Sequence, residues 1–109
     1  MCGRFVGFTR LEMLLEHFPI DVADVQVTPN YNVAPTQEIL AISQHQGKNH
    51  LLKYHWGLVP FWAKDLSIGS RLINARSETV AAKPSFRNAF KVRRCLIPSN
   101  GFYEWKGSK

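Results

Sequence analysis

Residues 38–59 read EILAISQHQGKNHLLKYHWGLV. Two apolar-rich runs, Glu38–Gln44 and Leu51–Val59, flank the polar stretch Gln46-Gly47-Lys48-Asn49. Aliphatic and aromatic residues on both sides of a glycine-containing turn predict two antiparallel strands joined as a hairpin. To the N-terminal side, Thr9–Phe18 (TRLEMLLEHF) carries Leu11, Leu14, Leu15 and Phe18 at i, i+3, i+4 and i+7, the spacing of one helix face. Thr9 and Glu12 form a T-x-x-E capping box, and Pro19 ends the helix. To the C-terminal side the pattern is shorter-ranged. A strand is expected at Arg71–Arg76 (RLINAR), a helix at Ser77–Lys83 with Ser77 as its cap, and a helical turn at Pro84–Phe90. A strand is expected at Arg93–Pro98, followed by an Asn100-Gly101 hairpin turn into Phe102–Lys106. Strands and short helices mix without βαβ alternation, so the expected class is α+β in a single domain over residues 1–109.

Composition narrows the function classes. With 45% hydrophobic and 20% charged residues the chain can build one core, which excludes a disordered segment. No apolar run approaches the ~18 residues of a membrane span, and no secretory leader is evident. Two cysteines, Cys2 and Cys95, are too few for a disulfide framework, so a reducing, cytoplasmic setting is expected. Charge is uneven: residues 1–54 hold four basic and five acidic side chains, residues 55–109 ten basic and three acidic. A basic half suggests an anionic partner, nucleic acid first. The alternative is a soluble surface that happens to be basic.

Cys2 directly follows Met1. Removal of Met1 would leave an α-amine and a thiol on one residue, both titrating close enough to neutrality to react. A 1,2-aminothiol traps aldehydes: the amine forms an imine and the thiol closes it to a thiazolidine. A terminal thiol can also attack an acyl group. The plainer alternative is an incidental cysteine, and Cys95, inside a strand pattern, reads as a small core residue. Glu104 lies among Phe102, Tyr103 and Trp105, where partial desolvation would suit it to acid–base work. An edge-strand carboxylate paired with lysine is equally consistent. Asn74, between Ile73 and Ala75, can donate and accept, either for chemistry or for neighbouring backbone; Asn32 reads the same way. Arg4, Arg71, Arg76, Lys83, Arg87, Lys91, Arg93 and Arg94 are interleaved with Phe61, Trp62, Phe86 and Phe90. Cations for phosphates and aromatic faces for unpaired bases suit single strands; solvated charge over core aromatics is the alternative for several of them. His17, His45, His50 and His55 lack metal-ligand spacing and no phosphate-binding glycine loop is present, so no metal and no cofactor are expected.

Six separated stretches, MCGRF (1–5), NYNVAPTQ (30–37), WGLVPFWAKD (56–65), INARSET (73–79), KPSFRNAF (83–90) and RRCLIPSNGFYEWK (93–106), resemble the SRAP family of SOS response-associated peptidases, or abasic-site processing proteins. The resemblance runs in order along nearly the whole chain. It implies a curved, barrel-like mixed β core with short flanking helices and a basic groove for single-stranded DNA containing abasic sites. It implies that Met1 is removed and that Cys2 forms a thiazolidine crosslink with the ring-opened abasic sugar. Asn74 and Glu104 then correspond to the family's catalytic asparagine and glutamate. Arg76 corresponds to a phosphate-contacting arginine, Arg4 lies beside the nucleophile, and Pro35 and Trp62 match elements lining the DNA channel; Lys83 and Arg87 join the basic surface. Self-removal of the N-terminus and a lyase-type activity are implied alongside, as is association with the nucleoid when bound to DNA. The family's active-site histidine belongs to a further segment, so the chain corresponds to the N-terminal portion of an SRAP domain. Two other classes stay open from the residues: an N-terminal-nucleophile amidohydrolase or autoprotease, and a non-catalytic nucleic-acid-binding module.

Overall fold

The hairpin forms in the computed structural model, which describes residues 2–106. In chain order the elements are β1 (Phe5–Gly7), α1 (Leu11–His17), β2 (Val22–Ala23), β3 (Asn30–Val33), β4 (Glu38–His45), β5 (Lys48–His55), a 3-10 helix (Leu66–Arg71), α2 (Arg87–Val92) and β6 (Gly101–Phe102). β4 and β5 pair antiparallel without interruption from Glu38 opposite His55 to His45 opposite Lys48. Only Gln46 and Gly47 lie in the turn, both left-handed at φ 52° and 79°. That is the two-residue turn whose twist matches the strands, and it strongly favours glycine at position 47. The second strand stops at His55 rather than Val59, because Gly57 turns the backbone to φ 128°.

Two three-stranded sheets result, β2-β5-β4 and β3-β1-β6, with β2 parallel to β5 and the other pairings antiparallel. β4 is apolar on both faces because both are covered. Leu40 and Ile42 pack with Leu51 against Leu14 of α1. Ile39, on the opposite face, joins Phe5 and Val33 of the other sheet. Ala41 and Leu51 are fully buried between these layers. The class is α+β as expected. The two sheets do not close into a barrel.

Several local expectations give way to long-range partners. The capping box does not form: Arg10 is the N-cap residue without a side-chain bond, and the Thr9 hydroxyl instead accepts from Asn100 Nδ2 at 2.8 Å. Leu15, on the expected apolar stripe, is 45% exposed. Arg71–Arg76 is no strand; it leaves the 3-10 helix that Asp65 caps by accepting from the Ser67 N–H at 2.9 Å. Residues 77–82 form successive turns rather than a helix, and the Ser77 hydroxyl donates to Glu78 Oε1 instead of capping. The expected turn at Pro84–Phe90 becomes α2, three residues later. Of Arg93–Pro98 only Leu96 pairs, exchanging two backbone bonds with Ile42 (2.8 and 2.9 Å). Asn100-Gly101 is not a hairpin turn: Asn100 Oδ1 accepts from the Phe8 N–H, and β6 pairs with β1. Among the described residues no helix is long and apolar enough to cross a membrane.

Candidate functional site

Trp56 and Gly57, at the end of the hairpin, position the site. The Trp56 N–H donates to the Gln37 carbonyl and its own carbonyl accepts from the Thr36 N–H (both 2.9 Å), extending the β4–β5 ladder by one step. Trp56 Nε1 donates to the Ile73 carbonyl at 3.0 Å, and Leu58 N–H to the Leu72 carbonyl at 3.0 Å. Gly57 and Gly69 are both buried and their backbones touch, with no room on Gly57 for a Cβ, which would collide with the Gly69 carbonyl oxygen. These contacts clamp residues 69–73 onto the hairpin end and so fix the next residue, Asn74.

Asn74 Nδ2 donates to the Cys2 carbonyl oxygen at 2.8 Å, across 72 residues of sequence. Cys2 is half-buried and packs with Trp56 against the Phe5, Val33 and Ile39 cluster. Phe5 and Trp56 meet ring to ring, 5.4 Å between centroids. The Cys2 thiol donates to the Arg4 carbonyl, two residues further on, at 3.7 Å. That same carbonyl accepts from the Tyr103 N–H at 2.9 Å, which ties the segment preceding Glu104 to the residues between Cys2 and β1.

A polar network flanks the cysteine. Arg4 Nη1 donates to Asn32 Oδ1 at 3.1 Å. Asn32 N–H donates to Asn30 Oδ1, and Gln37 Oε1 accepts from both Asn30 Nδ2 and the Ala34 N–H. Gln37 thereby closes the loop carrying Pro35, which Thr36 turns through φ 73°. The sequence offered Asn32 as a candidate, whereas Asn30, Gln37 and Trp56 stood only inside motif stretches with no role assigned to them. Their roles depend on chain segments that meet only after folding.

Glu104 is exposed, as are Tyr103 and Trp105, so the expected enclosure by aromatic neighbours is not found. Of the basic residues, Arg76, Lys83 and Arg87 are exposed, the first two flanking the successive turns of residues 77–82 and Arg87 opening α2. The backbone carbonyls of Arg76 and Lys83 accept from the Val80 and Arg87 N–H groups, leaving their side chains outside the turns. Trp62 is 49% exposed and its neighbour Phe61 75%, on the loop that Pro60 closes by accepting from the Ala63 N–H. Arg94 is otherwise engaged, its guanidinium 3.8 Å above the Phe90 ring. The structure thus joins Cys2, Asn74 and the Arg4 backbone in one cluster, and exposed Arg76 follows Asn74 by two residues. Cys95 is not a core residue: it is surface-exposed on the wall of a groove that also reaches Cys2.

Comparison with known proteins converges on one family. The model of the SOS response associated peptidase (SRAP) family matches residues 1–109. The abasic site processing protein YoqW of Bacillus subtilis (strain 168) is 49% identical over 108 residues, covering 97% of this chain and 48% of that protein. The abasic site processing protein YedK of Escherichia coli (strain K12) is 35% identical over 111 residues, again covering 97% and 48%. The mouse abasic site processing protein HMCES is 36% identical over 91 residues. The chain thus spans about half the length of the bacterial relatives it matches. Solved structures of proteins from Bacteroides thetaiotaomicron and Bordetella bronchiseptica share the fold, with TM-scores of 0.82 and 0.78 at 24% identity, covering 98% and 94% of this chain and 50% of each of those chains. Matched along its whole length and built on the fold of those structures, the chain belongs to the SRAP family.

Proposed function

We propose that this protein captures abasic sites in single-stranded DNA as a covalent adduct on Cys2. The observation that carries the reading is the Asn74–Cys2 bond, which holds the start of the chain against the folded core at its one position able to become an aminothiol. The relatives' shared name, abasic site processing protein, agrees with it.

The chemistry follows from the groups. Removal of Met1 frees the Cys2 α-amine. The ring-opened abasic sugar offers its C1′ aldehyde; the amine adds, water leaves, and an imine forms. The thiol then adds across the C=N bond, sulfur to carbon and its proton to nitrogen, closing the thiazolidine. Glu104 serves as the proton shuttle. Asn74, bonded to the Cys2 carbonyl, holds the residue so that amine and thiol reach the same carbon. Arg76, Lys83 and Arg87 bind the phosphates, Arg4 sits beside the reacting residue, and Pro35 and Trp62 keep the flanking bases apart.

The test is incubation with a single-stranded oligonucleotide carrying one abasic site, without borohydride, followed by a denaturing gel. An adduct that survives denaturation and disappears in Cys2→Ala is expected. Equal adduct yield from Cys2→Ala would contradict the chemistry. DNA binding indifferent to the lesion would instead favour a non-catalytic module.

A further inference from the structure

Phe5 turns inward from β1 to the buried cluster, so the alternating residues Arg4 and Phe8 face outward. Opposite them, β3 is irregular. Phe5 pairs with Val33 and Gly7 with Asn30, which leaves Val6 facing both Asn32 and Tyr31, the two-against-one arrangement of a β-bulge. The bulge lets two consecutive β3 residues meet the outward side chains of β1. Asn32 Oδ1 accepts from Arg4 Nη1 at 3.1 Å, and the Tyr31 ring stacks on Phe8 with 5.5 Å between centroids and 19° between planes.

These stacked rings stay in solvent. Phe8 is 45% exposed and Tyr31 64%. Their backbones are nonetheless held: the Phe8 N–H donates to Asn100 Oδ1 at 2.9 Å, and the Tyr103 hydroxyl donates to the Tyr31 carbonyl at 2.8 Å. A flat surface fixed in this way loses little freedom when a ligand stacks on it. Its surroundings are polar and cationic. Arg4 and Asn32 are exposed on one side, and Arg10 is exposed two residues beyond Phe8.

We infer that the Phe8–Tyr31 pair is a stacking subsite for a nucleobase of the strand whose lesion lies at Cys2. A base stacks on an aromatic face while its phosphates meet guanidinium groups, and this surface offers both. An apolar protein segment fits less well, since it would strip water from Arg4 and Asn32 without replacing it. A second copy, ring pair to ring pair, would bring Arg4 and Arg10 near their own equivalents. Six residues of chain separate Cys2 from Phe8 and span at most ~22 Å. Even at the ~3.4 Å per nucleotide of a stacked strand, the base lies fewer than about seven nucleotides from the lesion. The subsite adds to the contacts of Pro35 and Trp62, which lie on the loops after β3 and β5. It rests on the proposed binding of single-stranded DNA and is independent of the crosslinking chemistry.

The test uses a single strand in which tetrahydrofuran replaces the abasic sugar, so that there is no aldehyde and binding is read apart from adduct formation. 2-Aminopurine, a base analogue whose emission is quenched by stacking, is moved one nucleotide at a time away from the tetrahydrofuran on either side. With the parent protein, emission should fall at least about twofold at a position within that seven-nucleotide range, and Tyr31→Leu or Phe8→Leu should abolish the fall. Affinity by anisotropy should weaken at least about fivefold in each variant, the loss of one base–aromatic stack. Tyr31→Trp, which keeps a stacking face, should bind within about twofold of the parent, as should Leu15→Ala, exposed on α1. Quenching and affinity unchanged in Tyr31→Leu and Phe8→Leu would overturn the subsite, as would a dimer in native mass that Tyr31→Leu dissolves. Adduct formation on a true abasic strand is measured alongside. No adduct, together with Tyr31-dependent quenching, would overturn the Cys2 chemistry and uphold the subsite; a normal adduct without that dependence would do the reverse. No binding of the parent protein to the strand would overturn both.

Discussion

In the proposed chemistry Asn74 acts through its side-chain amide donor. Its Nδ2 reaches the Cys2 carbonyl in a partly buried setting, where losing a hydrogen-bond partner costs about 1 kcal/mol or more. Asn74→Ala is therefore expected to slow adduct formation by about fivefold or more, the rate equivalent of that loss. Asn74→Asp should be slower still, since it sets a carboxylate oxygen against a carbonyl oxygen. Single-turnover rates on abasic single-stranded DNA check the order; Asp equal to Asn would mean that the bond plays no part. Asp65 gives a residue-level test of structure. Its carboxyl lies below the usual carboxylate range, chiefly because the Ser67 N–H donates to it. A carboxylate with a lowered folded pKa stabilises above its unfolded pKa, and the contribution is lost as pH falls through the lowered value. Asp65→Ala should therefore lower the thermal midpoint at neutral pH, with the gap closing in acid. Asp65→Asn, which can still accept from Ser67, should keep most of the cap without that acid dependence.

At the scale of elements, the hairpin end is the part on which the site depends. Gly57 combines φ 128° with the Gly69 backbone where its Cβ would be. Gly57→Ala carries a conformational cost above about 1 kcal/mol before any clash is counted. It should both lower the thermal midpoint and displace residues 69–73, so that adduct formation falls with it. Gly47→Ala, at the far end of the same hairpin where a Cβ meets open space, should lower stability without the same effect on the adduct; equal losses of activity in the two variants would contradict this division. These elements also show what the sequence makes readable. Helix α1 and the β4–β5 hairpin are legible because the side chains that bury them recur at fixed local spacing. Residues 71–100 are not. Outside the local turns and helix of residues 76–93, their backbone groups are satisfied one or two at a time by distant partners: Leu72 by Leu58, Ile73 by the Trp56 indole, Leu96 by Ile42. Local propensity has no access to such pairs, and it misreads Thr9 for the same reason, since Asn100 claims its hydroxyl.

At the scale of the molecule, the basic character of residues 55–109 appears as exposed cations at Arg76, Lys83 and Arg87, from the turns to the start of α2. If Arg76, Lys83 and Arg87 each neutralise a phosphate, replacing all three by Ala should reduce the slope of log affinity against log salt for single-stranded DNA by about 2. Filter binding or anisotropy over a salt series checks it; an unchanged slope would place the DNA elsewhere. The candidate residues were legible singly from their chemistry, Cys2 as a potential aminothiol, Asn74 as an amide in an apolar run and Glu104 as a carboxylate among aromatics; that they belong to one site was legible only through motifs. Cys2 and Asn74 lie 72 residues apart, and no periodicity links them; the likeness to a family marked both residues, and the fold supplies the contact. Glu104 was legible by the same route, but its expected enclosure was not, because Gly101–Phe102 is all of the strand that forms there. The central claim is that a freed Cys2 closes a ring on the abasic aldehyde. Its most direct test is the intact mass of the adduct with a defined abasic oligonucleotide, with the crosslinked peptide mapped. The account predicts the protein without Met1 plus the oligonucleotide minus one water, with the link on Cys2. An adduct that retains Met1, or one mapped to a lysine, would contradict it.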